Sequence, residues 1–285
     1  MKRFIFLLLF PLGMYGQSLV VEVNHLFNKK QYSKAEELIT DHIEINPYDI
    51  QAIELLGDSY GHQRKWDKAI SIYKKMVDHD ETNANFHYKY GGALGMKALS
   101  VSKVRALGLI GDLKRSFLKA VSLDPTHIDA RWALVELYMQ LPGIIGGSKK
   151  KSLKYAEELE QLSKVDGYLA KGYIYEYDDQ PELAEKYYMR AIDEGGSINC
   201  FEKLTQLYET QDQPEKAVAN IENAYERHNL NALHYQIGKV CADYNIQLEK
   251  GERCLKSYIK NHYHESINLC HSIYLLFQFK ITIEW

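Results

Sequence analysis

The sequence is poor in proline and in cysteine, with six and four copies among 285 residues. No two cysteines form a Cys-x-x-Cys pair, so neither a zinc ribbon nor a thioredoxin-like redox motif is indicated. Cys241 and Cys254 are expected on the two antiparallel helices of one hairpin, where they could approach each other. An oxidising compartment would permit a disulfide between them, but two buried free thiols are the simpler expectation. The other cysteines are Cys200 and Cys270.

Several motifs that carry enzymatic chemistry are also missing. The chain has no His-Glu-x-x-His zinc-protease motif and no Gly-x-Gly-x-x-Gly dinucleotide fingerprint. Its eleven histidines are scattered, and the one cluster offers zinc-type ligands at a spacing that matches no familiar site. We therefore predict a protein without enzymatic activity, catalytic residues, bound metal or cofactor. That cluster consists of His262, His264, Cys270 and His271.

An excess of positive charge is lacking as well. The chain carries 35 Lys and Arg residues against 38 Asp and Glu residues, a formal net charge of −3. Nucleic-acid binding needs a basic face that displaces counterions from phosphates. Nucleic acid is therefore not an expected partner.

The first 16 residues have the features of a signal peptide. Lys2 and Arg3 precede an apolar run over residues 4–10, and Gly16 offers a small residue at a cleavage point. The run is shorter than the ~20 residues needed to span a bilayer, although an uncleaved anchor is the alternative. We expect residues 1–16 to be removed and the mature protein to be exported, to the periplasm or the cell envelope.

What the sequence does contain is a repeat. Gly57 and Gly91 are 34 residues apart, as are Ala35 and Ala69. Such a period is typical of stacked helical hairpins, in which small residues stand where two helices cross and aromatic residues fill the remaining space. The spacing of Gly57, Tyr60, Ala69, Tyr73 and Met76 recurs in Gly172, Tyr175, Ala184, Tyr188 and Ala191.

These residues resemble the tetratricopeptide-repeat (TPR) family, whose motif places Gly or Ala, an aromatic residue and two Ala at such intervals. Pro47 and Pro125 stand where that motif ends its second helix. The resemblance implies an all-α fold, a right-handed α-solenoid of six to seven TPR helical hairpins over residues 17–262. It also implies a non-enzymatic scaffold or adaptor that binds a partner protein or peptide in a concave groove lined by the first helices.

The predicted groove is acidic and aromatic. Chaperone-binding TPR proteins clamp a C-terminal carboxylate with Lys and Asn, and this chain has Glu, Asp and aromatic residues at such positions. We therefore expect a partner with basic or aromatic character, against the alternative that these side chains form a solvated helical face. The groove residues are Glu54, Asp58, His62, Tyr88, Met96, Trp132, Glu136, Met139, Tyr173, Glu176, Tyr177, Glu202, Gln206 and Glu209.

A basic insertion interrupts the repeat. Gly91 and Phe117 are 26 residues apart, where the equivalent Gly57 and Tyr73 are 16 apart. The extra residues fall within segment 97–113, which predicts a lengthened first helix and loop. A membrane or partner contact by this segment is a second hypothesis.

A glycine-rich turn forms the second interruption, over residues 146–151. Its Gly146, Gly147, Ser148 and Lys149 could hold an anion at a helix N-terminus, with Ser148 as the N-cap. The Gly-Lys-Ser order of a Walker loop is absent. A structured turn with a solvated lysine run is the simpler expectation, and an anion-binding or enzymatic role is the alternative.

The C-terminal residues 263–285 form an atypical tail. Segment 272–283 is dense in apolar and β-branched residues and has one charge, whereas a terminal solenoid helix normally has a polar outer face. The tail is an irregular cap, an anchor to a membrane or partner, or an end altered relative to related proteins. Together with the basic insertion it supports an alternative function, a membrane-associated subunit of a cell-envelope assembly.

Overall fold

The computed structural model describes residues 14–261 and Leu275. These residues form fourteen α-helices and one short 3₁₀ segment, and they contain no β-strand. The all-α prediction is confirmed, and so is the number of hairpins, because fourteen consecutive helices make seven pairs. Residues 1–13 of the predicted signal peptide lie outside the described residues, as does the predicted tail apart from Leu275.

The chain forms two compact units, residues 1–134 and residues 135–285, with the boundary inside helix α7. The first unit contains α1 (Met14–Asn28), α2 (Tyr32–Ile45), α3 (Ile50–His62), α4 (Trp66–His79), α5 (Ala84–Ser100), α6 (Lys103–Leu123) and the start of α7 (Ile128–Gln140). The second unit continues with the end of α7, the 3₁₀ segment Gly143–Ile145, α8 (Lys149–Leu162), α9 (Lys164–Tyr177), α10 (Pro181–Glu194), α11 (Ile198–Thr210), α12 (Pro214–His228), α13 (Asn231–Asp243) and α14 (Leu248–Lys260).

Five of the turns inside hairpins have one shared geometry. The second residue after the first helix adopts a left-handed conformation, with φ between 53° and 57°. In the α3–α4 turn, the amide N–H of Lys65 then donates to the carbonyl of Tyr60 at 2.9 Å. This is the Schellman pattern, in which glycine usually occupies the left-handed position. The five left-handed residues are Lys30, Arg64, Asp179, Asp212 and Asn245.

Helix ends follow the signals in the sequence. Helices α10 and α12 begin at Pro181 and Pro214, where the missing proline N–H costs nothing. Helices α2 and α6 end immediately before the C-caps Asn46 and Asp124, each of which precedes a proline. The helix ends predicted before Pro47 and Pro125 are confirmed.

In four hairpins the two helices cross at a glycine of the first helix. A Cβ atom added at any of these glycines would overlap the side chain that the second helix places over it, so only glycine permits the approach. The prediction that Gly57, Gly91 and Gly172 occupy equivalent sites is confirmed. The pairs, with the shortest Cβ distance, are Gly57–Tyr73 at 2.5 Å, Gly91–Phe117 at 2.8 Å, Gly172–Tyr188 at 2.3 Å and Gly238–Leu255 at 2.4 Å.

The basic insertion lengthens both helices of one hairpin. Helices α5 and α6 have 17 and 21 residues, against 13 and 14 in α3 and α4. Only Val101 and Ser102 connect them, so the expected longer first helix is confirmed and the expected longer loop is wrong. The segment has no proline, and Ser102 stands at an N-cap position from which α6 starts at once. No helix among the described residues has the length and hydropathy needed to cross a bilayer.

Candidate functional site

Two of the predicted groove carboxylates in the first unit share one lysine. Lys89 on α5 places Nζ 2.6 Å from Glu54 Oε1 and 2.8 Å from Asp58 Oδ1, both on α3. The Tyr73 hydroxyl donates to Asp58 at 2.6 Å, and the Asn85 side-chain amide donates to Glu54 at 3.0 Å. One lysine cannot neutralise two carboxylates, so the pair keeps a net negative charge, although the neighbouring hairpin already supplies part of the countercharge.

The predicted aromatic residues of the first unit pack against other rings. His62 stacks on Tyr32 with ring centroids 4.7 Å apart and meets Phe27 edge-on at 4.8 Å. Tyr88 lies 5.0 Å from the His127 ring. These rings connect successive helices, which leaves less of their surface for a partner. The other predicted residues of this unit are Met96, which is exposed, and Trp132, which is partly buried.

The second unit brings predicted groove residues from two helices to one surface. Glu136, Met139 and Gln140 lie on one face of α7, because residues three and four apart are neighbours on a helix. The Gln140 side-chain amide donates to the Tyr173 hydroxyl on α9 at 3.4 Å. The rings of Tyr173 and Tyr177 are 6.0 Å apart. Tyr177 is 53% exposed, so this surface is open to a partner.

Glu136 lies within electrostatic reach of a lysine on another hairpin. Its carboxyl interacts electrostatically with Lys203 on α11, although α9 lies between α7 and α11 in the chain and packed helices are about 8–10 Å apart. The side chain is solvent-accessible, yet desolvation by surrounding protein raises its pKa, and Lys203 offsets this only in part. We call the surface formed by Glu136, Tyr173, Tyr177 and Lys203 the second-unit groove.

The remaining predicted groove residues of this unit differ in their surroundings. Glu176 on α9 accepts a hydrogen bond of 2.6 Å from the Tyr188 hydroxyl, so it is engaged inside its own hairpin. Glu202 and Gln206 on α11 are exposed. Glu209 is partly buried, and its backbone carbonyl accepts from the Tyr244 hydroxyl at 3.0 Å. None of these four side chains carries a positive charge that could neutralise the Glu136 carboxyl.

The hairpin α9–α10 carries the strongest sequence signature. A sequence model of the tetratricopeptide repeat matches residues 165–194, and this segment contains the crossing of Gly172 with Tyr188. This segment is a tetratricopeptide repeat. No curated protein sequence matches the chain.

Solved structures with this fold include several TPR proteins. A tetratricopeptide repeat protein from Parabacteroides merdae superposes with a TM-score of 0.53 and 15% identity, covering 93% of this chain and 98% of that one. A thermophilic TPR protein in Thermus thermophilus covers 79% of this chain and 97% of its own, with a TM-score of 0.48 and 14% identity. MamA protein covers 64% and 93%, with a TM-score of 0.41 and 23% identity. Of the three, the first supports the fold.

The amides of the glycine-rich turn form hydrogen bonds inside the protein. The N–H groups of Gly146 and Gly147 donate to carbonyls within the turn, and the N–H of Ser148 donates to the Tyr138 carbonyl at 2.8 Å. The Ser148 hydroxyl accepts from the amide of Lys151, so the predicted N-cap is confirmed. The amides that were expected to cradle an anion are thus already bonded inside the protein.

The lysines beside this turn are also engaged. Lys149 forms an ion pair with Asp178 and lies 4.9 Å from the centre of the Tyr175 ring. Lys151 lies 5.4 Å from the centre of the Tyr138 ring, a cation–π distance. The geometry therefore gives the anion-binding hypothesis no support.

One pentapeptide of α3 has the spacing of a hydrolase nucleophile elbow. Residues 57–61 read Gly-Asp-Ser-Tyr-Gly, which fits Gly-x-Ser-x-Gly. An elbow needs a strand before its serine, whereas these residues lie inside helix α3. The Ser59 hydroxyl is fully buried and donates to the Tyr32 carbonyl at 3.1 Å. The motif is therefore a helix-packing feature.

The described cysteines are free thiols. Cys241 and Cys254 lie on α13 and α14 of one hairpin, as predicted, and are not joined. Burial, with a contribution from Cys254, raises the pKa of Cys241 to about 11. The part of the chain that the structure describes has no cluster of three His, Cys, Asp or Glu residues able to hold a metal. The cluster between His262 and His271 lies outside that part.

Proposed function

We propose that this protein is a non-enzymatic adaptor that binds a partner protein or peptide in the second-unit groove. The observation that carries the proposal is Glu136, a solvent-accessible carboxyl with a raised pKa and no hydrogen bond or ion pair among the described residues. A desolvated carboxylate without a close cation is unfavourable. A lysine or arginine of a partner would supply a charge-assisted hydrogen bond there.

The tyrosines of the groove favour the same kind of partner. Tyr173 and Tyr177 place two rings beside Glu136, and tyrosine is enriched among the residues that dominate binding energy. A ring face also attracts an ammonium or guanidinium group. The proposed partner segment therefore carries basic side chains, with aromatic side chains able to stack on the tyrosines.

We also propose that the protein acts outside the cytoplasm, in the periplasm or the cell envelope. The support is the basic start and apolar run over residues 2–10, which are features of a signal peptide. N-terminal sequencing of the protein purified from its native cells tests this directly. Gln17 as the first residue is the expected result, and an intact Met1 would contradict it.

Peptide binding by the full chain tests the groove. Two fluorescein-labelled decapeptides, one built of Arg and Tyr and the other with Glu in place of Arg, are titrated with protein and followed by fluorescence anisotropy. The Arg peptide is expected to bind and the Glu peptide is not. Glu136→Gln should weaken binding at least tenfold, since truncating one partner of a desolvated charge pair costs about 2 kcal/mol or more.

Two variants serve as matched controls. Glu215→Gln removes an exposed carboxyl of α12 in the same unit, outside the predicted groove, and Tyr48→Ala removes a tyrosine that is 91% exposed in the first unit. Both should bind the Arg peptide as the unaltered chain does. Equal affinity for the two peptides, or an unchanged affinity in Glu136→Gln, would show that the groove is not the site. The alternative of a membrane-associated envelope subunit depends on the lengthened α5–α6 hairpin.

A further inference from the structure

The lengthened α5–α6 hairpin ends in a cluster of exposed apolar side chains. Leu99 and Val104 flank the two-residue connection and are 73% and 80% exposed, and Met96 and Leu107 follow at 46% and 52%. We call residues 96–107 the α5–α6 tip. Scattered exposed apolar residues need no explanation, but a group at one end of a hairpin marks a contact site.

All charged side chains of the tip are basic. Residues 93–111 contain Lys97, Lys103 and Arg105 and no acidic residue. Lys97 is paired with Asp67 on α4 at 2.7 Å, while Lys103 and Arg105 are exposed. The tip therefore presents two uncompensated cations next to apolar side chains, in a chain whose overall charge is negative.

A basic cleft lies at the base of the tip. It has a volume of about 520 Å³ and contains four basic side chains and one carboxylate, Asp67, which pairs with Lys97. Its lining residues are Arg64, Lys65, Trp66, Asp67, Lys68, Lys97 and Ser100. Arg64 is exposed in the left-handed turn between α3 and α4. Tryptophan is the side chain most typical of the membrane–water interface, where one edge of the ring is wet and the rest is apolar.

We propose that the α5–α6 tip docks on an anionic lipid bilayer. Leu99 and Val104 enter the acyl boundary, Lys103 and Arg105 pair with headgroup phosphates, and the cleft beside Trp66 receives a headgroup. Basic residues near an anionic leaflet each add to binding, and their long stems can lie along apolar surface while the charge reaches phosphate.

The composition and length of the tip favour a bilayer over an acidic protein. Leu and Val are under-represented among the residues that dominate protein–protein binding energy, whereas hydrocarbon accepts them without a shaped pocket. Relative to α3 and α4, helices α5 and α6 are longer by four and seven residues, which is roughly 6–10 Å at 1.5 Å per residue. Peripheral helices bury their apolar face to about 5–10 Å.

Vesicle flotation of the full chain tests the proposal. The protein is mixed with phosphatidylcholine vesicles with or without phosphatidylglycerol, at low and high salt. Binding is expected only with phosphatidylglycerol and should weaken at high salt. Lys103→Glu with Arg105→Glu should lower the partition constant by about 25-fold or more, since each cation contributes about fivefold. Leu99→Ser with Val104→Ser should lower it by at least about tenfold.

Control variants with the same kinds of substitution outside the tip show whether the tip is the surface that binds the vesicles. Lys34→Glu with Lys150→Glu removes two exposed lysines, and Ile45→Ser with Ile144→Ser removes apolar side chains that are 80% and 96% exposed. The apolar control should float as the unaltered chain does, and the charge control should lose far less than the tip variant. Flotation that both tip variants leave unchanged would overturn the proposal, because another part of the chain would then hold the vesicles. No flotation at all would also overturn it and would favour an acidic protein.

A site-specific probe gives an independent readout. The emission that Leu99→Trp adds to that of the native tryptophans should shift to the blue with phosphatidylglycerol vesicles and be quenched by brominated acyl chains. The emission that Ile45→Trp adds should show neither change. An unshifted Leu99→Trp signal on vesicles that carry the protein would place the contact elsewhere.

Discussion

The ring of Tyr188 occupies the place where a side chain at Gly172 would begin. Its Cε1 atom lies 2.3 Å from the position of a Cβ atom there, and its hydroxyl donates to Glu176 at 2.6 Å. Burial, together with Glu176, raises the pKa of Tyr188. One side chain thus fixes both the spacing of α9 and α10 and their relative rotation.

Adding a methyl group at this crossing should destabilise the protein. In Gly172→Ala, the Tyr188 ring has little room to move because it is 1% exposed. We expect a loss of about 1–3 kcal/mol of unfolding free energy, the usual cost of overpacking. Gly108→Ala is the control, since no atom lies within 4 Å of its Cβ position in α6. It should gain about 0.5–1 kcal/mol from helix propensity. Urea denaturation compares the two, and equal effects would refute the steric explanation.

The crossings could be predicted because their position depends on spacing alone. A hairpin of fixed helix length must bring a residue of the first helix against one about 16 positions later, and Gly57, Gly91 and Gly172 follow from that rule once the insertion is allowed for. The rule describes backbones in contact. It needs no knowledge of how a long side chain bends.

The groove could be predicted only in part, because its charge depends on how long side chains bend. The repeat places Glu54, Asp58 and Glu136 on first helices correctly, but not the lysines beside them. Lys89 closes on two of these carboxylates while Lys203 remains too distant from the third for an ion pair. Which carboxylate is neutralised depends on the rotamers of flexible side chains on other helices, and no periodicity encodes these.

The left-handed residues of the turns offer a stabilising substitution. Lys30 has a φ of 56°, a conformation that costs a residue with a Cβ about 1–2 kcal/mol. Lys30→Gly should therefore raise the free energy of unfolding by up to about 1 kcal/mol, after the added entropy of a glycine in the unfolded chain. Asn245→Gly, at the equivalent turn, should change it little because asparagine tolerates this conformation. Thermal denaturation distinguishes the two, and a destabilised Lys30→Gly would contradict the reasoning.

A buried polar pair replaces the glycine crossing in the α11–α12 hairpin. The Asn220 side-chain amide donates to the Thr205 hydroxyl and to the Phe201 carbonyl, each at 2.8 Å. Asn220→Leu should cost about 1–3 kcal/mol because it leaves buried polar atoms without a partner. Thr205→Val in that background should cost less than Thr205→Val alone. A double-mutant cycle from urea denaturation measures the coupling, and perfectly additive losses would show that the hydrogen bond contributes nothing.

The cap of α3 should make the first unit sensitive to acid. Asp49 accepts hydrogen bonds from the amides of Gln51 and Ala52 and lies 2.8 Å from the Nε2 atom of His42. Desolvation alone would raise its pKa, but the Ala52 amide and His42 outweigh it and hold the pKa below its usual value. Because its pKa is lower in the folded state, the ionised Asp49 carboxylate stabilises the folded protein. This stabilisation is complete above the unfolded-state pKa of about 3.9 and is lost as the pH falls through the folded-state value.

Asp49→Ala should therefore cost about 1 kcal/mol at neutral pH, and less as the pH drops below about 4. Asn83→Ala is the matched control, because Asn83 caps α5 through the amides of Asn85 and Phe86 without a titrating group. Its cost should not depend on pH. The test is to measure the unfolding free energies of the unaltered chain, Asp49→Ala and Asn83→Ala at neutral and at acidic pH. A cost in Asp49→Ala that is the same at both pH values would exclude the charge as its origin.

Glu136→Gln should stabilise the free protein slightly while it weakens binding. Desolvation raises the pKa of the carboxyl, so ionisation costs more in the folded state than in the unfolded state. That penalty is absent below the unfolded-state pKa of about 4.3 and complete once the pH exceeds the folded-state value. The variant should thus gain stability as the pH rises, by less than about 0.5 kcal/mol because the side chain is solvent-accessible.

At neutral pH, an excess of the Arg peptide should make the unaltered chain more stable than Glu136→Gln. A ligand that binds only the folded state raises stability in proportion to the logarithm of its concentration over the dissociation constant, and the unaltered chain has the lower constant. Melting curves with and without the peptide, at neutral pH and below about pH 4, compare the two proteins. If Glu136→Gln were less stable in the free state at neutral pH, the carboxylate would be stabilising the fold, and its proposed role in holding a partner's cation would lose its physical basis.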